Sequence, residues 1–326
     1  MNSFETIKET EKYAMLLEEV FDIQGVMALA WYSLCAHHHL LKVSHVHTRV
    51  PLLIIEGQTG SGKSELARAI AAIDVPEGLK PDAPIHLLPT MTSAVVRRLV
   101  NGNAHFVVLE SLRDGIPGKS IKAIMRRRKD GPLVMLTSQF CNENSMIADD
   151  SIFIRLPKRQ FSVQARTLLD RLHREMRSAW QLKEHIRWEP YDSLRDRITE
   201  WRERLKQELN KTDLATDAVR SQQLTDYYAL ILGHWQMMQF SDRDMLWRLF
   251  RYAVRCLSLR LPAKDEVRKT LLELQRRNGK EVALVWSMQD GVQQRIVFAD
   301  EQLYKGFVCM LRMMESTETE RVEVRV

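Results

Sequence analysis

The sequence predicts an α/β protein: a central parallel sheet, preceded by helices and followed by a mainly helical region that ends in a β-hairpin. Three observations predict it. Strand-like and helix-like runs alternate between residues 51 and 157. A glycine-rich turn joins the first of those strands to the first of those helices. From Gln160 to about Asn278 strand signals vanish and helical periodicity takes over. The 326 residues suggest more than one domain. The expected divisions are a helical prelude over 1–47, a core over 48–160, a helical region over 161–278, and a hairpin, helix and charged tail over 279–326.

The prelude is read from two apolar patterns. Glu5 to Phe21 places Tyr13, Leu16, Leu17, Val20 and Phe21 at helical spacing, and Val26 to Leu41 is largely apolar without strand alternation. His37, His38 and His39 are adjacent, with His45 and His47 nearby. Three neighbouring histidines cannot all face one ion from a helix, so a partly exposed helix end is preferred to a metal site.

The core begins with Leu52–Ile55 as its first strand and a helix from Lys63 to about Ile73, stopped by Val75-Pro76-Glu77-Gly78. Further strands are expected at Ile85–Leu88, His105–Leu109 (ending in Glu110), Leu133–Leu136 and Ile152–Leu156. Helices are expected at Ser93–Leu99 and through Ile121, Ile124 and Met125, and Asn101-Gly102-Asn103 is a turn. Beyond the core, Leu168, Leu169 and Leu172 mark one amphipathic stripe, and Ile198, Trp201 and Leu205 another. Helices follow over Leu224–Met238 and Met245–Leu259. Trp180, Trp188, Trp201, Trp235 and Trp247 fit a core better than a base-stacking surface. Glu281–Trp286 and Gln294–Phe298, joined through Asp290-Gly291, read as a hairpin. With helices at Asp265–Arg276 and Glu301–Leu311 it forms either a winged-helix unit or a simple packed hairpin.

Composition bounds the function. A hydrophobic fraction of 45% and a charged fraction of 28% suit an ordinary globular chain. Cys35, Cys141, Cys256 and Cys309 are scattered, without paired spacing, as expected for reduced cytoplasmic thiols. No membrane segment or secretory leader is expected, since Val26–Ala36 is too short to span a bilayer. The net charge is +6, and from Arg155 to Lys211 fifteen Lys and Arg stand against nine Asp and Glu. Such a window suits either nucleic-acid phosphates or an ion-paired helical surface.

The chemistry concentrates in Gly57-Gln58-Thr59-Gly60-Ser61-Gly62-Lys63-Ser64. Strand, glycine-rich loop and helix occur in the order of a phosphate-binding P-loop. Its glycines let successive N–H groups turn inward toward a β-phosphate. Lys63 supplies a cation for the β- and γ-phosphates and Ser64 a hydroxyl for Mg²⁺. ATP with Mg²⁺ is therefore the expected ligand.

Hydrolysis needs carboxylates as well. The expected form is four apolar residues followed by Asp and Glu, whereas this chain has Phe106-Val107-Val108-Leu109-Glu110-Ser111. Two assignments stay open. Glu110 holds the metal side and Ser111 replaces the catalytic glutamate, or Glu110 is that glutamate and Leu109 stands in the aspartate position. The first is preferred. Asp114 is the nearest substitute for the missing acid. Thr137 and Ser138, expected directly after the fourth strand, suit a polar sensor of the γ-phosphate or attacking water. Arg155 is the preferred arginine finger, with Arg159 and the turn Arg126-Arg127-Arg128-Lys129 as others.

These motifs resemble the additional-strand class of P-loop NTPases, close to the AAA+ group. The resemblance implies strand order 5-1-4-3-2, nucleotide contacts from Gly57, Gly62, Lys63 and Ser64, and roles for Glu110, Thr137 and Arg155 in catalysis. The whole layout resembles the ATPase part of phage, plasmid and satellite primase–helicase proteins, near the superfamily-three helicases. That implies a homo-oligomer, possible as a ring, acting on single-stranded DNA. An alternative is a nucleotide-dependent assembly switch with slow or absent hydrolysis, in regulation or defence against phage. A third is a small-molecule kinase with Arg126–Arg128 as a lid, against which the strand order argues.

Overall fold

The computed structural model describes residues 3–36, 51–74, 85–102, 106–111, 118–126, 133–138, 150–158, 163–182, 194–212, 219–237, 242–258, 286–287 and 293–294. The chain separates into two compact units. One comprises Met1–Trp201 with Ala229–Tyr252, the other Arg202–Tyr228 with Ala253–Val326.

The first unit is built on five parallel strands: β1 (Leu52–Glu56), β2 (Ile85–Leu87), β3 (Phe106–Ser111), β4 (Leu133–Ser138) and β5 (Ser151–Arg155). Their order across the sheet is β2-β3-β4-β1-β5. Read from the β5 edge this is 5-1-4-3-2, the order expected. Each β1 position is buried, because β1 has strands on both sides and layers on both faces. Strand ends shift by a residue or two from expectation, and two of these shifts bear on the site. Thr137 and Ser138 lie within β4 rather than after it, and β3 runs past Glu110 to Ser111. Both extensions follow from ladder pairing, since Glu110 aligns with Thr137 and Ser111 with Ser138.

Parallel register and the two-residue pleat sort the side chains by face. Ile54, Leu109, Leu136 and Phe153 share one face with Val96 and Val100 of α4 (Ser93–Val100) and with Ala123 and Ile124 of α5 (Gly118–Met125). Thr92 caps α4, its Oγ1 accepting from the Val95 N–H at 3.4 Å. On the other face Trp31 meets Phe106 edge-on, with ring centroids 6.1 Å apart. Trp31 belongs to α2 (Ile23–Ala36), which is buried from Gly25 to Cys35. A helix apolar all round needs cover on every side. Part of that cover is α1 (Ser3–Phe21), which approaches so closely that a Cβ on Gly25 would lie 2.5 Å from the Leu17 carbonyl oxygen.

The P-loop helix α3 (Lys63–Ala71) continues as a 3-10 turn, Ala72–Asp74. Tyr13 Oη donates to the Ala69 carbonyl at 2.8 Å, and burial pushes that phenol's pKa up. From α6 (Val163–Glu175), His173 Nε2 lies 2.8 Å from Glu65 Oε2 and Arg171 pairs with Glu19 at 3.0 Å.

Three long helices complete the described segments: α7 (Leu194–Asn210), α8 (Val219–Met237) and α9 (Arg243–Ser258). The division between units passes within all three. In the first unit Gly233 lets α8 approach the Ile198 backbone, where an added Cβ would sit 3.1 Å from its nitrogen. Trp201 and Trp235 are buried, as expected of core residues, and Trp180 is half-buried. Trp247 departs from that expectation: it is 46% exposed, resting edge-on against Trp201 and Phe250.

In the second unit Arg202 pairs with Asp226, and Gln223 Nε2 donates to Tyr227 Oη at 2.9 Å. Trp286–Ser287 (β6) pairs antiparallel with Gln293–Gln294 (β7), so a hairpin forms at the expected place. The histidine cluster, the Val75–Gly78 helix stop, Asp114, Arg127 to Lys129, Arg159, Cys141, Cys309, Trp188 and the helices expected beside the hairpin lie outside the described residues. Among the described residues no helix is long and apolar enough to cross a membrane, and no cluster of three metal-ligating side chains occurs.

Candidate nucleotide site

The loop between β1 and α3 owes its shape to three glycines. Gly60 and Gly62 have φ of 81° and 90°, a region that L side chains rarely adopt. Gly57 is needed for space: an added Cβ would lie 2.5 Å from Ser61 Oγ and 2.8 Å from the Leu156 carbonyl oxygen. The Gly57 N–H donates to the Ser138 carbonyl at 3.1 Å, which ties the start of the loop to β4. Gly62 caps α3 without a side-chain hydrogen bond. The first-turn amides of α3 and the positive end of its dipole thus face the loop.

Lys63 Nζ donates to the Gly57 and Gln58 carbonyls at 2.7 and 2.9 Å. Burial lowers its pKa from the usual lysine value, and the nearby Glu110 carboxylate opposes that shift. Ser64 Oγ donates to Glu110 Oε1 at 2.8 Å. Gln58, Thr59 and Gly60 are exposed, whereas Ser61 is buried. The loop therefore presents backbone N–H groups and an ammonium next to a hydroxyl–carboxylate pair completed by Glu110 of β3. That set matches a polyphosphate and a hard divalent cation.

Two buried hydroxyls strengthen the match. Ser61 Oγ and Thr137 Oγ1 have no hydrogen-bond partner among the described residues. Leaving a buried hydroxyl unsatisfied costs about 1–3 kcal/mol, so each is suited to meet a polar ligand. Thr137 stands beside Glu110 in the ladder, on the face that carries α3. Leu109, by contrast, is fully buried in the opposite layer, among side chains of α4 and α5.

Arg155 stands apart from this set. The next ladder row runs Ser111, Ser138, Glu56, Arg155 and faces away from Glu110 and Thr137. Arg155 Nε donates to Glu56 Oε2 at 2.9 Å, and Gln24 Nε2 donates to the Arg155 carbonyl at 3.4 Å. The structure thus brings together Gly57 to Ser64, Glu110 and Thr137, and places Arg155 on the other side of the sheet at the same end. Glu56 escaped sequence reasoning, although an acid closing an otherwise apolar strand was a visible signal.

Part of the basic window from Arg155 to Lys211 is ion-paired. Arg155, Arg171, Arg202, Lys206 and Lys211 all reach carboxylates.

No protein-family model matches the chain, and no curated protein matches it. Two solved chains match in structure. One is described as "SCCmec type IV Cch - active helicase", with a TM-score of 0.47 and 14% sequence identity, covering 94% of this chain. This chain spans 64% of that structure's length. Likeness at that level is too low to inform function.

Proposed function

We propose that the chain is an oligomeric ATP-binding protein that hydrolyses ATP while acting on DNA, as a helicase-like motor or loader in replication or mobile-element biology. The observation that carries the nucleotide part is the Ser64–Glu110 hydrogen bond beside the glycine-rich loop. A hydroxyl and a carboxylate forty-six residues apart meet where a P-loop holds its divalent cation. Leu109 in the apolar layer supports Glu110, rather than its neighbour, as the metal-side acid.

In this reading the amides of Gly60, Gly62, Lys63 and Ser64 would hold phosphate oxygens, Gly57 would set the start of the loop through its bond to β4, and the Lys63 ammonium would neutralise the β- and γ-phosphates. Ser64 and Glu110 hold Mg²⁺, which when bound withdraws charge from the transferring phosphoryl group. Thr137 offers its buried hydroxyl to the γ-phosphate or to the attacking water. Arg155, whose Nε is bonded to Glu56, would serve a neighbouring subunit through its Nη groups or after release from that bond.

A second reading is a nucleotide-dependent assembly switch with little turnover. One observation favours it: the residue after Glu110 is Ser111, which lacks a carboxylate and faces the opposite side of the sheet. ATP turnover with and without single-stranded DNA, combined with mass measurement in ATP, separates the two. DNA-stimulated turnover supports the motor. Nucleotide-dependent oligomers without turnover support the switch. Absence of both refutes both.

A further inference from the structure

The outer surface of α4 and α5 differs from the other described helices in its charge. Residues 85–102 and 118–126 contain no Asp or Glu, yet they carry Lys119 and four exposed cations, Arg97, Arg98, Lys122 and Arg126. Among the described residues none of these four side chains has an ion-pair or hydrogen-bond partner. Elsewhere in the first unit the cation-bearing helices also carry acids. Lys12, Arg68, Arg155, Arg171 and Arg248 each reach a carboxylate, and the exposed Arg166 and Arg174 share α6 with Asp170 and Glu175.

The fold puts the four on one surface. Val96 and Val100 turn one side of α4 into the sheet, and Ala123 and Ile124 do the same for α5. Both helices therefore point their remaining sides away from the same sheet face. Lys122 and Arg126 are one turn apart at the end of α5, and Arg97 and Arg98 occupy the outward side of α4. Four unpaired cations without an interspersed acid raise the local potential, and mobile counterions are the usual compensation. A polyanion that displaces those counterions gains their release entropy.

We propose that this α4–α5 face binds the phosphate backbone of nucleic acid, without reading base sequence. The proposal rests on the DNA part of the function above and assigns it a surface distinct from the nucleotide loop. Aromatic residues suited to base stacking are absent from the described parts of both helices, which fits contact through phosphates alone.

The test is binding of a fluorescein-labelled oligothymidylate by anisotropy across a salt series. It compares the full chain with the fourfold variant Arg97→Ala, Arg98→Ala, Lys122→Ala, Arg126→Ala. The expected loss is about tenfold or more in affinity at low salt, with the salt slope reduced by about 3 if all four contact phosphates. Binding of a fluorescent ATP analogue by the double variant Arg97→Ala, Arg98→Ala should be unchanged. Arg97→Glu alone should weaken DNA binding measurably and keeps the test open if the fourfold variant misfolds. Unaltered affinity and slope in folded variants would overturn the surface assignment while sparing the DNA reading. No DNA binding by the wild-type chain would overturn both. Loss of self-association with DNA binding intact would assign the face to a second copy and refute the proposal.

Discussion

Ser64 and Glu110 are joined by a 2.8 Å hydrogen bond that spans two structural elements, the first turn of α3 and the end of β3. The two elements meet across β4, which lies between β1 and β3: Glu110 aligns with Thr137 of β4 and reaches Ser64 on the face that carries α3. Glu110→Gln keeps an oxygen acceptor but removes the charge. Nucleotide affinity without metal should hardly change, whereas the gain on adding Mg²⁺ should fall by roughly 10–100-fold. Calorimetric titration with and without Mg²⁺ measures this difference, and any hydrolysis should drop with it.

Gly57→Ala should destabilise the fold by about 1–3 kcal/mol, since its methyl meets Ser61 Oγ and the Leu156 backbone oxygen. Urea unfolding reads the loss directly. Binding of a fluorescent ATP analogue should weaken at the same time, because the loop must shift to admit the methyl.

Glu56→Gln tests the partner of Arg155. If Arg155 works across a subunit boundary, its release should preserve or raise turnover in the oligomer, while Arg155→Ala should lower it. Steady-state ATPase assays on both variants decide. Equal losses in the two would assign the pair a structural role within one chain.

Glu18 gives a pH-dependent prediction. Burial raises its pKa above the usual carboxylate value, against the lowering effect of Arg248, with Asp242 and Asp22 adding to the rise. A group with a raised pKa in the folded state retains protons that the unfolded chain releases. Its contribution to stability is therefore present below the unfolded pKa and lost as pH rises through the folded one. Glu18→Gln does not titrate. The melting temperature of the wild-type chain relative to that variant should fall as pH rises upward from about 4.5, the unperturbed value. A difference that stays constant with pH would contradict this.

The two edge-on tryptophans, Trp201 and Trp247, should differ in cost. Trp201→Ala removes a side chain that is 2% exposed and whose Nε1 donates to Gln236 at 2.8 Å. About 3–5 kcal/mol of stability should go with it. Trp247→Ala should cost much less, because nearly half of that residue faces solvent. Chemical denaturation of both variants checks the ranking.

Much of this fold was legible because local signals coincide with it. The glycine spacing from Gly57 to Gly62 demands the backbone that the loop adopts, and alternating runs mark the strands within a residue or two. Strand order came from the resemblance to additional-strand P-loop proteins, with which one strand between the loop strand and the Glu110 strand is consistent. What stayed hidden depends on register. The separation of Glu110 and Thr137 from Glu56 and Arg155 onto opposite faces is decided by ladder pairing between distant segments, which single runs do not encode. Thr137 looked like a strand end because polar residues commonly stop strands, yet pairing with β3 and β1 extends β4 through it. The exposure of Trp247 was readable in principle. Met245, Leu249, Ala253 and Cys256 form the buried stripe of α9, and position 247 falls off that stripe.

The most direct test is calorimetric titration of the full chain and of Lys63→Ala with a non-hydrolysable ATP analogue in Mg²⁺. Saturable binding by the wild-type chain, weakened at least about tenfold by the substitution, is the predicted result, since one charge-assisted contact is worth about 1.5–3 kcal/mol. No binding by the wild-type chain, or equal affinity in both, would contradict assignment of the glycine-rich loop as a nucleotide site.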